Sequence, residues 1–187
     1  SRYSLEVENI QHGRASGLDT YVSMHGGCVR IQNGAAQELP LPRVPLYIVN
    51  TGTPASTTGE AVSAVARRYS ATSPIWDEFE GVVNHMQKAL QHDDLKAFQK
   101  ALRDNHRLLG EIGVVPGRVG DFVAEVEQAG AAAKICGAGA VAGDRAGMVL
   151  VAAPEPPTQL GANDGYALVA RRPDPQGVRP VWFSAPD

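Results

Sequence analysis

The sequence predicts an α+β fold, an antiparallel sheet covered by helices, and three observations carry this prediction. Apolar segments typical of strands occur towards both ends of the 187-residue chain. Four amphipathic segments with helical spacing lie between them. Hydrophobic residues make up 43% of the chain, which is enough for one sizeable core. Strands on either side of a block of helices are typical of α+β layer folds.

The chain is expected to open with the end of a helix. Residues 1–12 carry an apolar stripe at helical spacing, and Gly13 is placed to end the helix because glycine adopts the left-handed conformation at little cost. A loop is then expected to run to Asp19. The opening stripe lacks upstream partners, so we expect the chain to be the C-terminal part of a longer protein.

Two strands are expected before the helical block. Small and apolar residues over 21–32 indicate a strand that bends at Gly26 and Gly27. The segment 44–50 indicates a second, more regular strand. The polar pair Asn33–Gly34 is expected to form a turn between these two strands.

Each of the four helices is marked by residues that favour the start of a helix, and the last two are also marked by a glycine that favours its end. Polar caps and prolines favour helix starts, and glycines favour helix ends. These residues are, in chain order, Thr57 with Glu60 as a capping box, Ser73 with Pro74, Asp93 with Gly113, and Pro116 with Gly130.

The chain after Gly130 changes from helical to strand-like spacing. Four further strands are predicted from short apolar runs separated by turn residues. Their sequences are AAKIC, GMVLVAA, YALVARR and VRPVWF.

Charge and cysteine content argue against several classes of protein. Seventeen basic and twenty acidic residues give a net charge of −3, so neither nucleic acid nor a membrane surface is an expected partner. Cys28 and Cys136 lie in apolar runs, which favours reduced thiols in a cytoplasmic protein over a disulfide framework. No apolar stretch approaches membrane-spanning length.

A glycine-rich segment, GAGAVAGDRAG, lies between two predicted strands. A dinucleotide-binding fingerprint requires a helix after its glycines, and a Walker A loop requires Lys-Ser or Lys-Thr, so neither fits. Backbone amides in such a turn can approach an anion closely. A hairpin loop without a ligand is the alternative.

Acidic and histidine side chains near the start form a second candidate group. Glu8 and His12 lie four residues apart on one helix face, and Asp19 follows seven residues later. A carboxylate pair suits Mg²⁺, and Asp19 alone could orient or deprotonate a substrate hydroxyl. Each residue also has a purely structural interpretation, as a solvated helix position, a partner of the helix dipole or a turn former.

Hydroxyl side chains crowd the segment TGTPAST, residues 51–57, between a predicted strand and a predicted helix. Amides at a helix start favour negative charge. Thr57 could contact a ligand there or serve only as a helix cap.

Three stretches together resemble the GHMP kinase superfamily, most closely its mevalonate kinases. They are ENIQHGRASGLDTYVSMHGG, YIVNTGTPASTTGEAV and NHRLLGEIGVVPGRVGDFVAEVEQAGAAAKICGAGA. The resemblance implies a ferredoxin-like C-terminal domain over residues 44–187, preceded at 1–43 by the end of the N-terminal domain. It also implies ATP- and Mg²⁺-dependent phosphorylation of the mevalonate C5 hydroxyl in isoprenoid biosynthesis.

The resemblance implies a role for nine residues of the chain. Asp19 corresponds to the catalytic aspartate and Glu8 to the acidic Mg²⁺ ligand. The substrate side is formed by His12, Ser16, Gly17 and Thr57, and the phosphates lie beside Gly137, Ala138 and Gly139.

Two departures from the family pattern limit what is expected. The run AVAGDRAG is longer than the usual glycine run after GAG, and the upstream ATP loop and early lysine of the family are not found. We therefore expect the chain alone to be inactive. A phosphomevalonate or sugar kinase and a non-catalytic binding domain remain alternatives, and the oligomeric state stays open, with a homodimer among the options.

Overall fold

The computed structural model describes residues 17–158, 161, 164–169 and 174–179. They fall into two compact units, a smaller one within 1–41 and 172–187 and a larger one within 42–171. The expected division into domains at 1–43 and 44–187 stays a prediction. The expected opening helix lies outside the described residues.

The smaller unit begins with a helix, α1 (Leu18–His25), where the sequence predicted a loop to Asp19 and a strand from residue 21. That prediction was wrong because two glycines bound a helix instead of loosening a strand. Gly17 precedes α1 with φ 79°, and the Gly26 amide donates to the Val22 carbonyl at 2.7 Å. Both glycines have positive φ, which other residues adopt at a cost.

A two-stranded hairpin follows α1 in the smaller unit. It pairs β1 (Cys28–Gln32) with β2 (Ala35–Leu39) in antiparallel register. The predicted turn is confirmed, since Asn33 and Gly34 both have positive φ (52° and 75°), as a two-residue type I′ turn requires. The sequence did not predict β2, whose residues lack an alternating apolar pattern.

The predicted strand at VRPVWF begins at Val178, and its residues beyond 179 lie outside the described residues. Val178 and Arg179 are not in a strand. The Val178 amide instead donates to the Ser23 carbonyl at 2.9 Å, within the smaller unit.

The larger unit contains a four-stranded sheet in which neighbouring strands are antiparallel, as predicted. Its strands have the spatial order β4-β5-β3-β6. They are β3 (Leu46–Asn50), β4 (Ala132–Ile135), β5 (Met148–Ala152) and β6 (Ala167–Val169).

Four helices separate β3 from β4, which confirms the predicted α+β arrangement. They are α2 (Thr58–Arg68), α3 (Ile75–Gln91), α4 (Leu95–Glu111) and α5 (Gly117–Gln128). The helix ends follow the expected residues with two corrections. Asp94, and not Asp93, caps α4 by accepting from the Ala97 amide at 3.0 Å. Pro74, and not Ser73, precedes α3 as its cap.

The main core lies between one face of the sheet and the helices. Val149, Val151 and Ile135 point to this face and are fully buried. Phe122 and Leu108 pack against them from α5 and α4. Burying each such side chain contributes roughly 1.5–3 kcal/mol. This packing fixes the ends of β4 and β5, which carry the glycine-rich segment.

Candidate functional site

The segment 136–147 is a strand-to-strand loop between β4 and β5, as predicted; we call it the glycine loop. Its base is closed by the Cys136 amide, which donates to the Met148 carbonyl at 2.8 Å. Its middle is held at two points. The Ala140 amide donates to the Val114 carbonyl, and the Val141 amide to the Ser56 hydroxyl, each at 2.9 Å.

The far end of the glycine loop, residues 145–147, is hydrogen-bonded to the residues that follow β3. The Ala146 amide donates to Thr51 Oγ1 at 3.1 Å, and the Gly147 amide to the Gly52 carbonyl at 3.1 Å. Thr51 also donates twice to the Gly147 carbonyl, from its amide and its hydroxyl, both at 2.8 Å. These bonds leave the far end little freedom to move.

The near end of the glycine loop, residues 137–139, consists of the three predicted phosphate-binding residues. Gly137 and Ala138 are the central residues of a tight turn, and among the residues that the structure describes the amides of Gly137, Ala138 and Gly139 make no hydrogen bond of good geometry. Gly137 and Gly139 have φ of 69° and 68°, and Ala138 between them does not have positive φ. Alternating backbone conformations of this kind turn successive amides towards one side and form anion-binding concavities.

Arg145 is a loop residue that the sequence reasoning missed. Its Nη1 donates to the Thr51 carbonyl at 2.8 Å and to the Asp164 carbonyl at 3.1 Å. Its guanidinium also lies over the Tyr166 ring, 5.2 Å from the centroid. The departure from the family's glycine run, which introduces this arginine, was the signal that could have found it.

Thr57 begins α2 in the predicted capping box. Its amide and hydroxyl donate to Glu60 Oε2 at 2.7 and 3.0 Å, and its Oγ1 accepts from the Glu60 amide at 3.2 Å. The bonds from the Thr57 amide and then its hydroxyl lower the pKa of Glu60. The hydroxyl hydrogen of Thr57 is therefore already used, and one lone pair is left to accept from a ligand.

A cavity of about 550 Å³ brings Thr57 together with the glycine loop. Polar side chains from α2 and Ser56 line one wall, and Val141 and Ala142 of the loop line the other. A separate apolar cavity of about 460 Å³ runs along α2 and reaches Gly137 and Ala138. The near end and the middle of the loop thus face different surroundings.

Three titratable side chains lie at or near the base of the glycine loop. Burial lowers the pKa of Lys134, and burial together with the charge of Lys134 lowers the pKa of His106. Burial raises the pKa of the Cys136 thiol. Cys136 is free, as is Cys28, and its raised pKa favours a neutral thiol over a nucleophilic thiolate.

Asp19 lies in the first turn of α1 in the smaller unit and is exposed. A carboxylate in this position is favoured by the helix dipole. Gly17 directly precedes the helix. The other predicted residues of this group, Glu8, His12 and Ser16, lie outside the described residues.

The described residues contain neither a cluster of metal ligands nor a membrane-spanning helix. Within those ranges, no group of three or more His, Cys, Asp or Glu side chains could hold a metal ion. None of the helices found there combines the length and the apolar character needed to cross a membrane.

Comparison with known proteins defines the class to which this fold belongs. Residues 86–143 match the family model described as GHMP kinases C terminal. This segment runs from α3 through the first part of the glycine loop. The chain carries a GHMP kinase C-terminal domain.

Within that class, the chain is similar to mevalonate kinases. It is 31% identical to the mevalonate kinase of Thermococcus sibiricus over 144 residues, which cover 72% of the chain and 43% of the relative. The chain thus spans less than half the length of this relative. The L. major mevalonate kinase solved with R-mevalonate superimposes with a TM-score of 0.61 at 25% identity, covering 77% of this chain and 45% of that one.

A kinase with a different substrate shares the same fold. The homoserine kinase of Cytophaga hutchinsonii superimposes with a TM-score of 0.68 at 17% identity. The match covers 94% of this chain and 57% of that one. The fold alone therefore does not select the substrate.

Proposed function

We propose that the chain is part of an ATP-dependent kinase that phosphorylates the C5 hydroxyl of mevalonate in isoprenoid biosynthesis. One observation carries the proposal: an anchored glycine loop in which three consecutive amides make no hydrogen bond to any described residue, in a domain similar to mevalonate kinases. Free amides on a rigid loop stabilise phosphate oxygens without the cost of reorganising. The family similarity favours mevalonate over other alcohols.

The glycine loop would hold the phosphates of the nucleotide. The residues fit this group, because the amides of Gly137, Ala138 and Gly139 make no hydrogen bond to the described part of the chain, while the loop is anchored at residues 140, 141, 146 and 147. ATP, when bound, supplies the phosphoryl group. Catalysis in this class depends mainly on positioning and on charge stabilisation, both of which an anchored backbone provides.

The remaining predicted residues would act on the acceptor and on the metal ion. Asp19 would take the proton of the C5 hydroxyl as its oxygen forms the new bond to phosphorus and ADP departs. Glu8 would contribute a carboxylate to Mg²⁺, which needs few protein ligands. His12, Ser16 and Gly17 would shape the substrate side.

Thr57 would contact the substrate only through its remaining lone pair, because its hydrogen is held by Glu60. A substrate group that donates a hydrogen bond, such as a hydroxyl, fits this requirement, whereas a bare phosphate oxygen does not. This favours a substrate hydroxyl over a phosphate as the partner of Thr57.

The test is ATP turnover by the protein that contains this chain, with mevalonate, phosphomevalonate, homoserine and galactose as acceptors. We expect ADP release to depend on mevalonate and to fall by at least about 100-fold in Asp19→Asn, because a general base contributes 10²–10⁴-fold. Turnover with a different acceptor would reassign the substrate. Tight nucleotide binding without turnover of any acceptor would support the non-catalytic binding domain.

A further inference from the structure

Thr51 is a polar residue with no exposed surface, placed directly after β3. Its amide and hydroxyl donate to the Gly147 carbonyl, and its Oγ1 accepts from the Ala146 amide. Its carbonyl accepts from Arg145. Every hydrogen-bonding group of Thr51 is therefore used on three consecutive residues of the glycine loop.

Arg145 extends this connection to a third segment of the larger unit. The same Nη1 that binds the Thr51 carbonyl also donates to the Asp164 carbonyl. The Arg145 side chain packs closely against Gly52, because a Cβ added to Gly52 would lie 3.2 Å from Arg145 Cδ. Close packing and hydrogen bonds thus hold the arginine in one place.

The two ends of the glycine loop meet at its base. Cys136, which precedes the free amides, donates to the Met148 carbonyl, directly after the clamped residues Ala146 and Gly147. The loop is also held in the middle at Ala140. The segment 137–139 therefore lies between two anchored residues of a loop that is also held at residues 145–147.

We propose that Thr51 and Arg145 are positioning residues that hold the glycine loop in the conformation that binds phosphate. They bind no substrate atom themselves and act through the far end of the loop. This inference rests on the proposed function, because it assigns the free amides at 137–139 to a phosphate ligand.

The test compares Thr51→Val with Thr51→Ser in the protein that contains this chain. Valine has nearly the shape of threonine but removes the hydroxyl bonds to residues 146 and 147, whereas serine retains them. Arg145→Lys is a second variant, which keeps the charge and cannot reproduce the guanidinium geometry. Phe98→Leu is the control for general destabilisation, since Phe98 is buried in a core cluster that contains no loop residue.

Two readouts are measured, amide hydrogen exchange of the glycine loop and the steady-state constants for ATP. In Thr51→Val and Arg145→Lys we expect exchange at residues 146 and 147 to rise by about ten-fold, the effect of losing one net hydrogen bond. The KM for ATP should rise by a similar factor with a smaller change in kcat. Thr51→Ser should stay near wild type, and Phe98→Leu should lose stability without the rise in KM.

The opposite results would overturn the inference. One is that amide exchange at residues 146 and 147 is unchanged in Thr51→Val. The other is that the KM for ATP rises as much in Phe98→Leu as in Thr51→Val. If the wild-type protein turns over no acceptor, the proposed kinase function fails. The positioning role of Thr51 and Arg145 is then tested by amide hydrogen exchange and by the ATP affinity of wild type and variants, measured by calorimetry. Equal ATP affinity in wild type and Thr51→Val would then refute it.

Discussion

Alanine substitutions at Gly137 and Gly139 form a matched pair that tests the geometry of the glycine loop. The two glycines have nearly the same positive φ, 69° and 68°, so an alanine is strained at both positions. Left-handed backbone costs a non-glycine residue about 1–2 kcal/mol. The surroundings differ, because a Cβ at Gly137 would meet no atom within 4 Å.

The Cβ of an alanine at position 139 would collide with the Val114 carbonyl oxygen and lie 2.5 Å from Ile135 Cδ1. Overpacking of this kind costs a further 1–3 kcal/mol or so. We therefore expect Gly137→Ala to lose about 1–2 kcal/mol of unfolding free energy and Gly139→Ala about 2–5 kcal/mol.

Urea unfolding followed by far-UV circular dichroism measures both losses on the same protein. The slope of the unfolding free energy against urea should be unchanged, so that the midpoints report stability directly. Equal losses in the two variants, or a larger loss in Gly137→Ala, would refute the close contact between Gly139 and Val114.

Three further predictions concern Asp19 in its proposed catalytic role, the helix cap at Thr57 and the half-buried His106. Asp19→Ala should abolish mevalonate phosphorylation and leave the melting temperature near wild type, because the residue is exposed; calorimetry and ADP release check both. Thr57→Ala should lower the unfolding free energy by about 1 kcal/mol in urea titrations, the usual loss for a helix cap. The pKa of His106 is lowered in the folded state, so the unfolded chain binds this proton more tightly, and stability should fall as the pH drops below about 6.5. His106→Gln should flatten this decline in unfolding free energy measured between about pH 7 and pH 5.

The helices of the larger unit were predictable because their determinants are local. The capping box of Thr57 and Glu60 and the glycines at 113 and 130 act within a few residues, and the structure confirms each of them. The helix α1 was not predictable in this way. Its residues include Tyr21 and Val22, which favour strands, and the left-handed Gly17 and Gly26 decide the outcome instead.

The candidate site was predictable only in part for a related reason. The glycines at 137 and 139 are visible in the sequence, and they mark positions where the backbone can approach a ligand closely. Thr51, Ser56 and Arg145 contact residues 85 to 96 positions away in the chain, and no local pattern predicts such pairs. Sequence therefore indicates where a ligand could approach, and the structure adds what keeps that surface in place.

Amide chemical shifts of the glycine loop during a titration with Mg²⁺-ATP test the phosphate-binding role most directly. In ¹⁵N-labelled protein containing this chain, the amides of Gly137, Ala138 and Gly139 should shift in proportion to nucleotide bound, while those of Ala146 and Gly147 stay in place. Saturation with nucleotide that leaves the first three amides unmoved would contradict the role assigned to the loop.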